Sequence, residues 1–171
     1  HEALIHEIFT LCEIGHFYAA NAPRVLEARS FFPRVLKHRS STVRRVPLGV
    51  VAILSPWNFP FMIPGADLLA ALIAGNAVIL KPSEFTPLTA TLLKELFDES
   101  GLPEDLFQVV YGHAAEGAAL VAAGVQKVIF TGGTGGGKKV AALAGEHLVP
   151  CVLELGGKAP AIVCEDANIA L

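Results

Sequence analysis

Four short runs, each closing an apolar stretch, combine residue types that do chemistry. In Ser55-Pro56-Trp57-Asn58-Phe59-Pro60 an amide side chain lies between two prolines. Proline fixes its own backbone, so Asn58 is held, and a positioned amide NH2 stabilises an oxyanion better than a mobile one. The run also reads as a proline-rich turn with Asn as its turn former. In Lys81-Pro82-Ser83-Glu84 the lysine and hydroxyl suit a phosphate, and the carboxylate suits a ribose 2′-OH. Equally, it reads as a helix N-terminus, with Ser83 or Thr86 capping and Glu84 at the positive end of the dipole.

The third run is Phe130-Thr131-Gly132-Gly133-Thr134-Gly135-Gly136-Gly137-Lys138-Lys139. Glycines let a backbone approach a ligand closely, and a following helix offers free N–H groups, so the run is a phosphate cradle in physical terms. From Gly132 it spells GxxxxGK, the start of a P-loop, but Lys139 stands where a Ser or Thr should hold Mg²⁺. That departure disfavours a P-loop-like nucleotide hydrolase. No GxGxxG occurs in the first strand-to-helix turn either, and a merely flexible glycine loop is the plain alternative. The fourth run is Leu153-Glu154-Leu155-Gly156-Gly157-Lys158. A lone carboxylate between apolar neighbours at a strand end is expected to be desolvated and so suited to general-base work; pairing with Lys158 is the alternative.

The elements that must position these runs follow from hydrophobic periodicity. Strands are predicted over 49–54, 77–80, 107–111, 127–130, 151–154 and 161–164, and helices over 62–74, 86–100, 116–123 and 134–147. Near-continuously apolar strands alternating with helices mean βαβ units and a parallel sheet covered on both faces. In such a sheet, ligands sit at the carboxyl ends of the strands, where all four runs fall. Ahead of this region, residues 2–20 have helical spacing, ending near Asn21 and Pro23, and 30–46 reads as strand or extended connector. The fold class is thus α/β, a mostly parallel, doubly wound, Rossmann-like sheet preceded by a helix and an extended arm. Residues 1–46 are taken as helix and arm, 47–171 as the dinucleotide-binding domain.

Composition narrows the partners. The chain is 53% hydrophobic and 17% charged, with mean hydropathy +0.53, which excludes a polar disordered chain and suggests a buried partner surface. A net charge of −3 supplies no positive field for nucleic acid or anionic lipid. The most apolar stretch, 68–80, is broken by Gly75 and Asn76 and falls short of the roughly 20 residues that span a bilayer. Cys12, Cys151 and Cys164 have neither CxxC spacing nor an even count, so no disulfide framework and no metal site is expected, and a reducing, cytoplasmic setting fits. Cys151 and Cys164 are expected in the core. Both termini read as cuts in a longer chain.

Taken in order, SPWNFP, KPSE, FTGGTGGGK and LELGGK resemble the aldehyde dehydrogenase superfamily over about Pro47 to Asn168. In that family a cysteine attacks the aldehyde, the cofactor accepts the hydride and water hydrolyses the resulting thioester. The resemblance implies Asn58 as the side-chain half of the oxyanion hole and Glu154 as the general base. It implies cofactor contacts over Ser55, Pro56, Trp57 and Asn58, over Lys81, Ser83 and Glu84, over Gly132, Gly133, Thr134 and Gly137, and over Leu155 and Gly156. Lys81 and Glu84 would meet the adenosine ribose, residues 132–134 and the following helix the pyrophosphate, Trp57 the cofactor's flank, and Leu155 with Gly156 the nicotinamide end. NAD is the implied cofactor, with NADP the alternative, an aldehyde the implied substrate and a homo-oligomer the implied assembly. The wording of SPWNFP and LELGGK is most similar to semialdehyde dehydrogenases of the succinate-semialdehyde type.

Two departures from the family pattern stand out. Gly133 replaces the serine of the usual FTGS, losing a hydroxyl that would donate to the pyrophosphate. The nucleophilic cysteine of the family lies further beyond the glutamate than the 17 residues that follow Glu154. The chain alone is therefore expected to be inactive, a non-catalytic nucleotide-binding fragment at most.

Overall fold

A computed structural model describes residues 1–35, 38–157 and 159–168. An i→i+5 bonded stretch, Ala3–Phe9, runs directly into α1, Thr10–Leu26. A hairpin of β1, Arg29–Phe31, and β2, Ser41–Val43, follows. The rest alternates strand and helix: β3 Val50–Leu54, α2 Met62–Ile73, β4 Ala77–Lys81, α3 Pro87–Glu99, β5 Phe107–Val109, α4 Ala114–Ala122, β6 Lys127–Gly132, α5 Thr134–Glu146 and β7 Cys151–Leu155.

The five later strands form one parallel sheet in the order β5-β4-β3-β6-β7. The chain starts at the middle strand, winds outward through β4 and β5, then returns to wind the other way through β6 and β7. A crevice therefore opens between β3 and β6, where the winding reverses. Strand alternation divides the core in two. Val51 and Ile53 pack with Val78, Leu80, Leu68 of α2 and Leu93 of α3 on one face. Ala52 and Leu54 pack with Val128, Leu120 and Val121 of α4 and Ala144 of α5 on the other. This is the doubly wound sheet that the apolar runs predicted.

Long-range polar contacts fix the entry to the sheet. The buried Asn76 accepts from the Leu48 and Gly49 N–H groups at 2.6 and 3.2 Å and donates to the Ala71 carbonyl at 3.0 Å. Gln126 accepts from the Val50 N–H at 2.6 Å. Gly75, just before Asn76, has φ +86°, and a Cβ there would meet Pro47 Cγ at 2.8 Å, so both conformation and space demand glycine.

Several expectations change. The first helix does not stop near Asn21 and Pro23 but continues to Leu26, with the Glu27 N–H bonding the Pro23 carbonyl at 3.1 Å. Pro23 lies in the last turn, where its missing N–H costs the helix one i→i−4 bond, to the Ala19 carbonyl, while its own carbonyl still accepts from Glu27. The arm is neither one strand nor a plain connector: residues 29–31 and 41–43 pair antiparallel, with Ser30 and Thr42 hydroxyls 2.9 Å apart. Residues 161–164 form no strand. An apolar run becomes a strand only where an edge receives its N–H and C=O groups, and among the described residues no strand pairs with this segment after Gly157, at φ +124°. Cys164 is consequently exposed, not core, whereas Cys151 is half-buried against the second cluster.

Candidate functional site

The crevice at the strand reversal holds a cavity of about 410 Å³. Its walls come from the carboxyl ends of β3, β4 and β6, and from α4 and α5. Of the residues singled out in the sequence, Ser55, Pro56, Trp57, Lys81, Ser83, Glu84, Gly132 and Gly133 all line it. Residues scattered over some eighty positions are brought together because parallel strands present their carboxyl ends on one edge.

Each wall has a local cause. The Ser55 N–H donates to the Lys81 carbonyl at 3.1 Å, continuing the β3–β4 ladder past its last pair and tying two motifs together. Ser55 Oγ is buried, with no hydrogen-bond partner among the described residues. A buried hydroxyl left unpaired costs free energy, and this one belongs to a residue that lines the cavity. Lys81 is buried along its stem, and its Nζ stands 3.9 Å from Glu84 Oε2. The Glu84 carboxyl is held below the usual carboxylate range by its own backbone N–H, with Lys81 and His113 adding to the effect against a desolvation penalty. It carries a negative charge at neutral pH.

The helix reading of the second motif holds as well. Thr86 occupies the N-cap of α3 with Pro87 at the first helical position, but Thr86 Oγ1 makes no bond; the Ser83 hydroxyl instead accepts from the Phe85 N–H at 3.4 Å. On the opposite wall, Gly133 is the N-cap of α5 and has no side chain to cap it. The first helical bond runs from the Gly137 N–H to the Gly133 carbonyl at 3.0 Å, so the preceding N–H groups of the first turn have no helical acceptor. Those donors, the dipole's positive end and the open space at Gly133 and Gly135, where a Cβ would meet nothing within 4 Å, fit a phosphate or pyrophosphate.

Other sequence-predicted residues stand elsewhere. Gly137 and Leu155 meet each other: a Cβ on Gly137 would collide with the Leu155 side chain, so this glycine lets α5 approach β7. Thr134 opens α5 beside the cavity lining. Asn58 is exposed in the turn after β3, and Glu154 and Gly156 are exposed at the end of β7. Glu154 thus lacks the burial expected of it. Its alternative partner, Lys158, lies outside the described residues. The desolvated carboxyl is instead Asp67 on α2, pushed from 3.8 up to about 6 by burial first and by the charge of Glu154 second.

Sequence reading also missed two contributors. His113 and Lys139 line the cavity. The rule that ligands gather after strand ends reaches His113, four residues past β5, had it been applied to the Tyr111-Gly112-His113 turn. Glu7 is the second kind of omission, since its Oε2 accepts from the Phe61 and Met62 N–H groups at 2.7 and 3.1 Å and caps α2 from the N-terminal helix. No local signal links positions so far apart. Among the described residues, no group of three His, Cys, Asp or Glu side chains is placed to hold a metal, and no helix is long and apolar enough to cross a membrane.

Comparison with known proteins gives the same assignment. The chain is 43% identical over 170 residues to 4,4'-diapolycopene aldehyde oxidase of Methylomonas sp, covering 98% of this chain and 32% of the relative. It is 50% identical over 133 residues to 3,6-anhydro-alpha-L-galactose dehydrogenase of Streptomyces coelicolor, covering 77% of this chain and 27% of that one. The chain therefore spans about a third of the length of these curated relatives. In fold it matches the Mycobacterium tuberculosis aldehyde dehydrogenase complexed with NAD+ at a TM-score of 0.82 and 37% identity, covering 94% of this chain and 33% of that chain. The sequence profile of the aldehyde dehydrogenase family matches residues 1–171. With its doubly wound sheet and the four motifs gathered at the strand ends, the chain belongs to the aldehyde dehydrogenase family.

Proposed function

We propose that this chain holds the nicotinamide dinucleotide for an NAD-dependent oxidation of an aldehyde to a carboxylic acid. The observation that carries the reading is the crevice itself: at one strand reversal it joins an uncapped helix N-terminus, a buried lysine beside a charged glutamate and an unpartnered buried serine hydroxyl. Bound there, the dinucleotide supplies the two-electron oxidant.

The chain's own residues divide the remaining work. The free N–H groups at the start of α5, with Gly132, Gly133 and Thr134, bind pyrophosphate. Lys81, Ser83 and Glu84 receive the adenosine ribose, and Glu84 favours NAD over NADP because its negative charge repels a 2′-phosphate. Ser55, Pro56 and Trp57 form the wall, and Leu155 and Gly156 stand towards the nicotinamide end. Asn58 donates its amide N–H to the oxyanion, and Glu154 takes the proton of the hydrolytic water. Of the three cysteines, Cys12 is on α1, Cys151 opens β7 at the end opposite Glu154, and Cys164 follows in the exposed segment. The nucleophile is assigned outside these residues, and the chain by itself binds without turnover. The exposed apolar side chains of the first helix and hairpin, among them Phe9, Phe17 and Phe31, support assembly into a homo-oligomer. The curated relatives are named for different compounds, and the substrate of this chain is left at the aldehyde class.

Pre-steady-state kinetics of the protein that carries both this chain and the nucleophile test the roles. Glu154→Gln should preserve the burst of NADH and slow the following steady state by about 10² to 10⁴. Asn58→Ala should depress the burst itself. An unchanged steady state in Glu154→Gln would remove Glu154 from the mechanism.

A further inference from the structure

The His113 turn is the part of the cavity that the four motifs leave unexplained. The residue stands just before α4, and its backbone N–H donates to Glu116 Oε2 at 2.6 Å, so its position is fixed by the helix start. Its ring lies beside Glu84, with Nδ1 3.8 Å from Glu84 Oε1. Glu84 is thus shared between Lys81, three residues before it, and His113, at the start of α4.

We propose that His113 is a cofactor-specificity residue: paired with Glu84 across the ribose end of the cavity, it lets the site discriminate against a 2′-phosphate when neutral and relaxes that discrimination when protonated. The inference rests on the cofactor reading of this cavity. The groups facing the ring are few. They are Glu84 after β4, Lys81 at the end of β4, Glu116 on the same turn as His113, the positive end of α4 and, from the far wall, Lys139 of α5. With His113 neutral, Lys81 and Lys139 stand against the two carboxylates Glu84 and Glu116, so the formal charges of this end of the cavity balance. Protonation adds a cation beside Glu84, tips that balance to positive and provides a donor to an incoming phosphate. Histidine is the side chain whose charge changes in the range between about pH 5 and 8. The ring is 78% exposed, so solvent screens the effect and it stays modest.

Equilibrium titration of the chain with NAD and with NADP, by calorimetry at low salt between pH 5.5 and 8.5, tests this. The readout is the ratio of the NADP to the NAD dissociation constant. In the wild type the ratio should fall by about three- to fivefold more on acidification than in His113→Asn. The variant retains only the titration of the cofactor's own phosphate, and asparagine is a good N-cap, so α4 should keep its start. The difference should shrink in 0.5 M salt, as a screened charge effect must. Superimposable profiles for wild type and His113→Asn, with circular dichroism unchanged, would overturn the role of His113 while leaving cofactor binding intact. Failure of the wild type to bind either dinucleotide would overturn the cofactor reading together with it.

Discussion

Restoring the hydroxyl missing at Gly133 should strengthen dinucleotide binding. Gly133 has φ −70° and ψ 149°, an extended conformation open to any residue, and a Cβ built there meets nothing within 4 Å. Gly133→Ser therefore requires neither backbone strain nor displacement. The new Oγ stands at the N-cap of α5, on the cavity wall. A hydrogen bond to a charged group contributes about 1.5–3 kcal/mol, and competition from water and from the helix's own N–H groups leaves about 1 kcal/mol, or roughly fivefold in affinity. As a helix cap, serine improves on glycine by only a few tenths of a kcal/mol, so folding stability should hardly change. Calorimetric titration with NAD and with ADP-ribose, alongside urea unfolding, separates the two effects. Equal tightening for both ligands with an unchanged urea midpoint is expected, because the gain belongs to the pyrophosphate. Unchanged or weaker binding by a variant of normal stability would refute the placement of pyrophosphate at the start of α5.

Asp67 should make stability depend on pH. Its folded pKa of about 6 lies above 3.8, so its contribution is fully present below about pH 4 and is lost as pH rises through 6. Asp67→Asn cannot ionise and should be more stable than the wild type above pH 6, by on the order of 1–2 kcal/mol after allowance for partial solvent screening, with the gain absent near pH 4; a pH-independent difference in urea unfolding would contradict this. Asn76→Ala should cost about 2–4 kcal/mol in the same assay, since it strands the Leu48 and Gly49 N–H groups at the entrance to β3, and a loss below about 1 kcal/mol would show that water replaces the side chain.

The sheet was legible because parallel strands buried on both faces are written as continuous apolar runs, and 50–54, 77–80 and 128–130 are such runs. The site was legible to the extent that it follows strand ends: Ser55, Lys81 and Gly132 each come at or just past the last residues of a strand. Burial was not legible. An apolar neighbourhood in sequence suggested a desolvated Glu154, but β7 is an edge strand with Glu154 exposed, and the acid whose titration desolvation raises is the half-buried Asp67 in the middle of α2. Pairing was not legible either. Residues 161–164 have strand composition without a strand partner, and the Glu7 cap on α2 joins elements that only the tertiary fold brings together.

Trp57, the single tryptophan of the chain, lines the crevice and reports directly on its occupancy. Titration of the chain with NAD, followed by Trp57 fluorescence in the wild type and in Ala118→Phe, tests the central claim. Ala118 is exposed on α4 at the cavity wall, so a phenylalanine there narrows the crevice without disturbing the core. A saturable change in the wild type and affinity weakened by at least about tenfold in the variant are expected, tenfold corresponding to about 1.4 kcal/mol. No saturable change in the wild type, or the same affinity in both proteins, would place the dinucleotide elsewhere or nowhere on this chain.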